Sequence, residues 1–129
     1  MTNSSDNRPN YEPNSDLVQR PVSALLWWCL PLCVGFSANL ITLLPRATAL
    51  VWVIAFTWMG IGCVVNARRC HRLHCYISGP AFLLGAATIG LLGLGAFAWR
   101  PHALNNVVGI TLVAALLSFV PEVIWRKYA

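Results

Sequence analysis

The chain alternates long apolar runs with short polar or charged segments. Each run is close to the ~20 residues that an α-helix needs to cross the hydrocarbon core of a bilayer. A backbone in lipid has to satisfy its hydrogen bonds within the segment, so the runs are predicted to be helices. The runs cover approximately residues 22–44, 48–66, 79–99 and 106–125. This pattern predicts an all-α integral membrane protein with four transmembrane helices.

The links between the runs are short, so consecutive helices are expected to be antiparallel neighbours in an up-down bundle. Residues 1–21 are polar and are predicted to form a disordered tail, and residues 126–129 form a second tail. The first tail lacks the basic start of a cleavable signal peptide, so the first run is expected to remain as a helix. Composition agrees with lipid as the solvent, because 10% of residues are charged whereas soluble domains have about 25%.

The basic residues divide unequally between the two sides of this layout. One side has those of the two tails and of the link 67–78, namely Arg8, Arg20, Arg68, Arg69, Arg72, Arg126 and Lys127. The other side has Arg46 and Arg100. The positive-inside rule therefore predicts that both termini and the link lie in the cytoplasm. Short basic clusters between apolar runs do not resemble a nucleic-acid footprint, so no nucleic acid is expected as a partner.

Cysteines provide the candidate chemistry within the spans. Cys29 and Cys33 lie in the first span, and a spacing of four residues puts both sulfurs on one helix face. Pro31 between them removes a backbone hydrogen bond and is expected to loosen the helix. Cys63 lies near the cytoplasmic end of the second span. Packing is an open alternative for all three cysteines, since a buried Cys behaves as a small hydrophobe.

The link between the second and third spans contains a Cys-His-x-x-His-Cys cluster. Its thiolate and imidazole groups suit zinc, Cu(I) and other soft cations, and nearby arginines should favour the thiolate. If the link continues as helix, Cys70 and His74 share one face, and His71 and Cys75 share an adjacent one. The alternative is a solvated basic loop. A disulfide is not expected in a reducing cytoplasm.

One acidic residue, Glu122, lies within a predicted span, near the inner end of the fourth. An intramembrane acid is a functional candidate, although at this depth its side chain can also reach water or Arg126. No Ser/His/Asp or paired-carboxylate arrangement supports a hydrolytic enzyme. The cysteines also lack the Cys-x-x-Cys spacing of thiol oxidoreductases. We therefore predict that the chain is not an enzyme.

The layout resembles the small inner-membrane mercuric-ion transport proteins of bacterial mercury resistance. In that family, a cysteine pair in the first span receives the ion, and in several members a second pair in a cytoplasmic-side loop passes it to the reductase. The matching residues are Cys29 and Cys33, then Cys70 and Cys75. The chain departs from the family because its first pair is not adjacent and its histidine-containing loop is not the family's motif. The segment 66–80 is also similar to a run in small bacterial membrane proteins of unassigned function.

The resemblance implies a multi-pass protein of the bacterial inner membrane that transports a soft metal ion. Mercuric ion is the first candidate, followed by copper and zinc, and the ion would be a substrate rather than a permanent cofactor. It would move by ligand exchange along sulfurs at successive depths, in the order Cys33, Cys29, Cys63, Cys70 and Cys75. The expected partners are the bilayer and a cytoplasmic metal-accepting protein such as a reductase. The alternative is a non-transporting scaffold or sensor whose basic loop docks a partner or anionic lipid.

Overall fold

The computed structural model describes residues 21–41, 44–71, 73–96, 100 and 102–125. Every regular element in these ranges is a helix, which confirms the all-α prediction for the described part of the chain. The helices are α1 (Pro21–Leu40), α2 (Pro45–Cys70), α3 (Leu73–Gly93), α4 (Ala103–Leu117) and α5 (Val120–Trp125). The predicted tails lie outside the described residues, apart from Pro21.

Three of these helices, α1, α2 and α3, are long and apolar enough to cross a membrane, and α4 is a shorter apolar helix. Their outward surfaces are also apolar. Large exposed side chains include Leu30, Val34, Leu84, Leu91 and Ile110. Apolar patches of this extent mark an interface or a membrane rather than a water-exposed surface, so the helices are compatible with the predicted membrane location.

The prediction of a loop over residues 67–78 is wrong, because helix covers most of this segment. Hydropathy falls at the arginines, but a helix continues through polar residues that project outward, and α2 reaches Cys70. The chain turns at His71, which has a φ of 51° and a left-handed conformation. Its N–H bonds to the Ala67 carbonyl at 3.0 Å, as in an ordinary left-handed helix end. Helix α3 begins directly afterwards, at Leu73.

The fourth predicted span, 106–125, is divided into α4 and α5 by a turn at Ser118 and Phe119. The Ser118 hydroxyl donates to the Ala115 carbonyl at 2.6 Å, and such bonds compete with the regular backbone pattern. Pro121 follows, and its missing N–H leaves another carbonyl without its helical donor. The interruption therefore has a local cause in the sequence.

Helices α2 and α3 form a closely packed antiparallel pair. Gly79 near the start of α3 lies against Val64 of α2, whereas Gly93 at the end of α3 lies against Ala49. Small residues allow this close approach of two backbones. The core of the pair is aromatic and aliphatic, and its fully buried side chains include Trp52, Phe56, Met59 and Ile89.

Helices α1 and α4 each pack on one member of this pair. On α1, Trp27 stacks on Trp58 of α2 with ring centroids 5.0 Å apart, and further along, Phe36 meets Trp52 edge to face. The order of these contacts makes α1 antiparallel to α2. Helix α4 meets α3 where Thr111 lies against the backbone of Gly85. Helix α1 therefore packs on α2 and helix α4 on α3, and the α2–α3 pair forms the floor of the space between α1 and α4.

Candidate functional site

Two cysteines from neighbouring helices meet inside the α2–α3 pair. Cys63 of α2 is 2% exposed, and Cys75 near the start of α3 is fully buried. Helix register explains the meeting, because Cys63 lies against Gly79 and Cys75 lies one turn before that glycine on the same helix. The two side chains are close enough to interact, and neither cysteine forms a disulfide. We call Cys63 and Cys75 the thiol pair.

Buried polar side chains surround the thiol pair. The Asn66 Nδ2 donates to Cys75 Sγ at 3.5 Å, and the Ser78 hydroxyl donates to Cys63 Sγ at 3.5 Å. The Trp28 side chain of α1 lies close to Cys63 and packs against the same core. Donors directed at sulfur fit a ligand that carries negative charge, as a metal-bound thiolate does. The surroundings of the pair are therefore more polar than those of a cysteine that only fills space.

The two histidines of the predicted cluster point in different directions. His74 is buried, its Nε2 lies 3.2 Å from Cys75 Sγ, and its ring stacks on Phe119 with centroids 4.3 Å apart. His71 is exposed, with Nδ1 3.2 Å from the Tyr76 hydroxyl. The link does not continue as one helix, because α2 ends at Cys70 and the chain turns at His71, so the condition for the two shared faces is not met. The structure brings His74 to Cys75 instead.

A cavity of about 440 Å³ lies between α1 and α4, above the α2–α3 pair. We call it the thiol groove. Its floor is formed by Met59, Cys63, His74, Ser78 and Phe82, and its walls by Ala24, Trp28, Cys29, Leu32, Phe36, Leu112, Ala115, Leu116 and Phe119. The lining is mostly apolar and aromatic, so sulfur and imidazole provide most of the ligand chemistry that the groove offers.

The groove separates the two cysteines of α1. Cys29 is exposed overall but lines the groove, whereas Cys33 is exposed and is not among the lining residues. Four residues of α-helix advance by about 40° beyond one full turn. Cys29 lies at the edge of the groove, so Cys33, four residues later, points farther away from the groove. The structure thus associates Cys29, and not Cys33, with Cys63.

Pro31 lies directly after an irregular turn of α1. Leu25–Cys29 form a π-helical turn, in which the N–H of Leu30 bonds to the Leu25 carbonyl. The wider turn and the N–H that Pro31 lacks both reduce the regular hydrogen bonding of α1 next to Cys29. Glu122 belongs to α5, but its side chain and that of Cys70 lie outside the described part of the structure.

Within the described residues, no group of three or more His, Cys, Asp or Glu side chains is arranged to hold a metal ion. The described site consists of the thiol pair, an adjacent imidazole and a third thiol on the groove wall. No protein-family model, curated protein or solved structure matches the chain.

Four residues that contact or neighbour the sulfurs could not be identified from the cysteine pattern, namely Trp28, Met59, Asn66 and Ser78. A signal for two of them was present, since Asn66 and Ser78 are polar residues that border the second and third apolar runs, each three positions after a cysteine. That spacing puts side chains on the same helix face. The contact of Trp28 depends on how α1 packs against α2, which the sequence pattern does not specify.

Proposed function

We propose that this protein is a four-span membrane protein that transports a soft, thiophilic metal ion by exchange between sulfur ligands. One observation carries the proposal. The buried thiols of Cys63 and Cys75 lie close enough on facing helices to interact, with His74 next to Cys75, and the thiol of Cys29 lines the same groove as Cys63 and His74. Three thiols are therefore distributed from an exposed wall to a buried interior.

The membrane part of the proposal combines helix length with charge. Helices α1, α2 and α3 each have the length and composition of a span, and α4 together with α5 supplies the fourth. An even number of spans leaves both termini on one side, and the basic residues favour the cytoplasm for the termini and for the α2–α3 turn. The thiol pair then lies near the cytoplasmic end of the bundle.

Charge balance explains why a pair of thiols suits a divalent soft ion. An uncompensated charge in an apolar interior is costly, and two thiolates neutralise a divalent cation. Binding releases the two thiol protons, so the complex that remains is neutral. Mercuric ion is the first candidate because two sulfur ligands satisfy its linear coordination. Copper and zinc are further candidates, since both bind thiolate and imidazole.

The proposed path runs from Cys29 through Cys63 to Cys75. An ion held by Cys29 on the groove wall would bind Cys63 on the floor before it leaves the first sulfur. Transfer to the thiol pair then brings it close to the α2–α3 turn, next to the exposed Arg68 and Arg69. A cytoplasmic metal-accepting protein with an acidic surface would dock there. Cys33 takes no part in this path.

Uptake of radioactive mercuric ion by cells that express the protein tests this path. Cells with Cys63→Ser/Cys75→Ser are expected to lose the uptake that wild type confers, because the buried ligands are gone. Cells with Cys33→Ser should keep it, which makes this variant the matched control for loss of an exposed thiol. Equal uptake by wild type and the double variant, at equal protein levels in the membrane, would exclude transport through the thiol pair.

The alternative proposal is a scaffold or sensor that docks a partner through its basic turn. It is supported by the exposure of Arg68 and Arg69 in the last turn of α2. Partner capture that is lost in Arg68→Ala/Arg69→Ala, but kept in Cys63→Ser/Cys75→Ser, would favour this alternative over transport.

A further inference from the structure

Met59 is a ligand-bearing residue that the proposed sulfur path does not use. It is 2% exposed in the core of α2, and it lines the thiol groove together with Cys63 and His74. It precedes Cys63 by four residues, so the two side chains lie one above the other on the same face of α2. A thioether, a thiol and an imidazole therefore border one cavity.

We propose that Met59, Cys63 and His74 form a binding site for a monovalent soft cation, such as Cu(I) or Ag(I), on the floor of the thiol groove. This proposal rests on the function proposed above and specifies the class of cation that the groove accepts. The thiol pair would bind divalent mercuric ion in the interior, whereas the groove would bind a monovalent ion. Cys63 belongs to both sites, and Met59 belongs only to the second.

Charge is the first argument for a monovalent ion. The thioether of Met59 and a neutral imidazole at His74 carry no charge, and the Cys63 thiolate carries one negative charge. With a monovalent cation the complex is neutral, but with a divalent cation it keeps one positive charge. The described lining of the groove contains no carboxylate to balance that charge. An unbalanced charge among apolar side chains is disfavoured, so the set selects against divalent ions.

Ligand softness is the second argument. Thioether and thiolate ligands select Cu(I) among the biological metals, whereas oxygen ligands suit magnesium, calcium and manganese. The groove also has aromatic walls and floor at Trp28, Phe36 and Phe82. Such side chains offer few hydrogen-bond partners to the water that a hydrated divalent ion retains. Both the donor atoms and their surroundings therefore fit a soft ion without its hydration shell.

Competition for Cu(I) against a chromogenic chelator tests the proposal on the purified full-length protein in detergent. Met59→Leu should weaken Cu(I) binding by at least about tenfold, the lower limit seen even for loss of outer-shell partners. Leu has a similar volume, so the fold should be kept. Mercuric-ion binding by the same variant should be unchanged. Cys33→Ser is the control and should bind both ions as wild type does.

A second measurement reports on Met59 directly. The chain has two methionines, Met1 and Met59, so ¹³C-methyl labelling of methionine gives two resonances. The resonance that is absent from the spectrum of Met59→Leu belongs to Met59. Addition of Cu(I) should shift the Met59 resonance. The proposal is overturned if that resonance does not move and Met59→Leu binds Cu(I) as wild type does. If Met59→Leu still binds mercuric ion in that case, the proposal for the thiol pair stands. If cells with Cys63→Ser still take up mercuric ion, the transport path itself is refuted.

Discussion

Replacement of Gly85 by alanine tests how closely α3 packs against its neighbours. A methyl group at this position would lie 2.6 Å from Thr111 Oγ1 of α4 and 3.2 Å from Phe56 Cδ2 of α2. Thr111 is buried and Phe56 is fully buried, and the β-branched threonine has few side-chain rotamers within a helix. Neither neighbour can move away without disturbing the core, so Gly85→Ala is expected to destabilise the bundle.

The magnitude follows from two opposing effects. An extra methyl group in a well-packed core costs about 1–3 kcal/mol, whereas alanine in place of a helical glycine stabilises by roughly 0.5–1 kcal/mol. Gly109→Ala on α4 is the matched control, because nothing lies within 4 Å of its added methyl group. Gly109→Ala therefore shows only the stabilisation that comes from replacing a helical glycine by alanine. The two variants should therefore differ in free energy of unfolding by about 1–3 kcal/mol.

Reversible unfolding in mixed micelles, followed by circular dichroism, measures this difference. Both variants are compared with wild type in the same detergent mixture, so that effects of the micelle on a helix cancel. If Gly85→Ala unfolds at the same denaturant concentration as Gly109→Ala, the close contact between α3 and α4 does not exist in the folded protein.

Two further variants test the surroundings of the sulfurs. Asn66→Asp should lower stability, because it places a carboxylate in a fully buried position, where the charged form loses its hydration. The control is Asn105→Asp, because Asn105 is exposed in the first turn of α4. This substitution should have little effect in the same unfolding experiment. Phe119→Ala should raise the rate at which maleimide labels Cys63, because it removes a wall of the thiol groove, while labelling of the exposed Cys33 stays constant. An unchanged Cys63 rate, measured by mass spectrometry, would mean that Phe119 does not control access.

Helix positions could be predicted because they follow from hydrophobic length. Each described helix overlaps a predicted span, since an apolar segment of that length has few other ways to satisfy its backbone. The ends could not be predicted in the same way. Helix α2 ends at the left-handed His71, a conformation in which glycine or asparagine is the usual residue. The interruption after Leu117 likewise depends on a single serine hydroxyl and a following proline.

The candidate site was only partly predictable for a related reason. Helical periodicity relates residues within one helix, but the contact between Cys63 and Cys75 depends on how two helices are aligned. Their alignment comes from small residues such as Gly79, whose role in packing appears only when the partner helix is known. The selection of Cys29 over Cys33 similarly depends on the rotation of α1 relative to the groove.

The antiparallel α2–α3 pair has a consequence for how the site assembles. The thiol pair, Met59 and His74 all belong to the continuous segment 59–78, and the turn at His71 lies within it. Closing so short a segment costs little chain entropy, and its contacts are local in sequence, which favours rapid folding. The ligands can therefore come together as soon as this hairpin has formed. Helices α1 and α4 enclose the groove, and of the sulfurs discussed above only Cys29 depends on their packing.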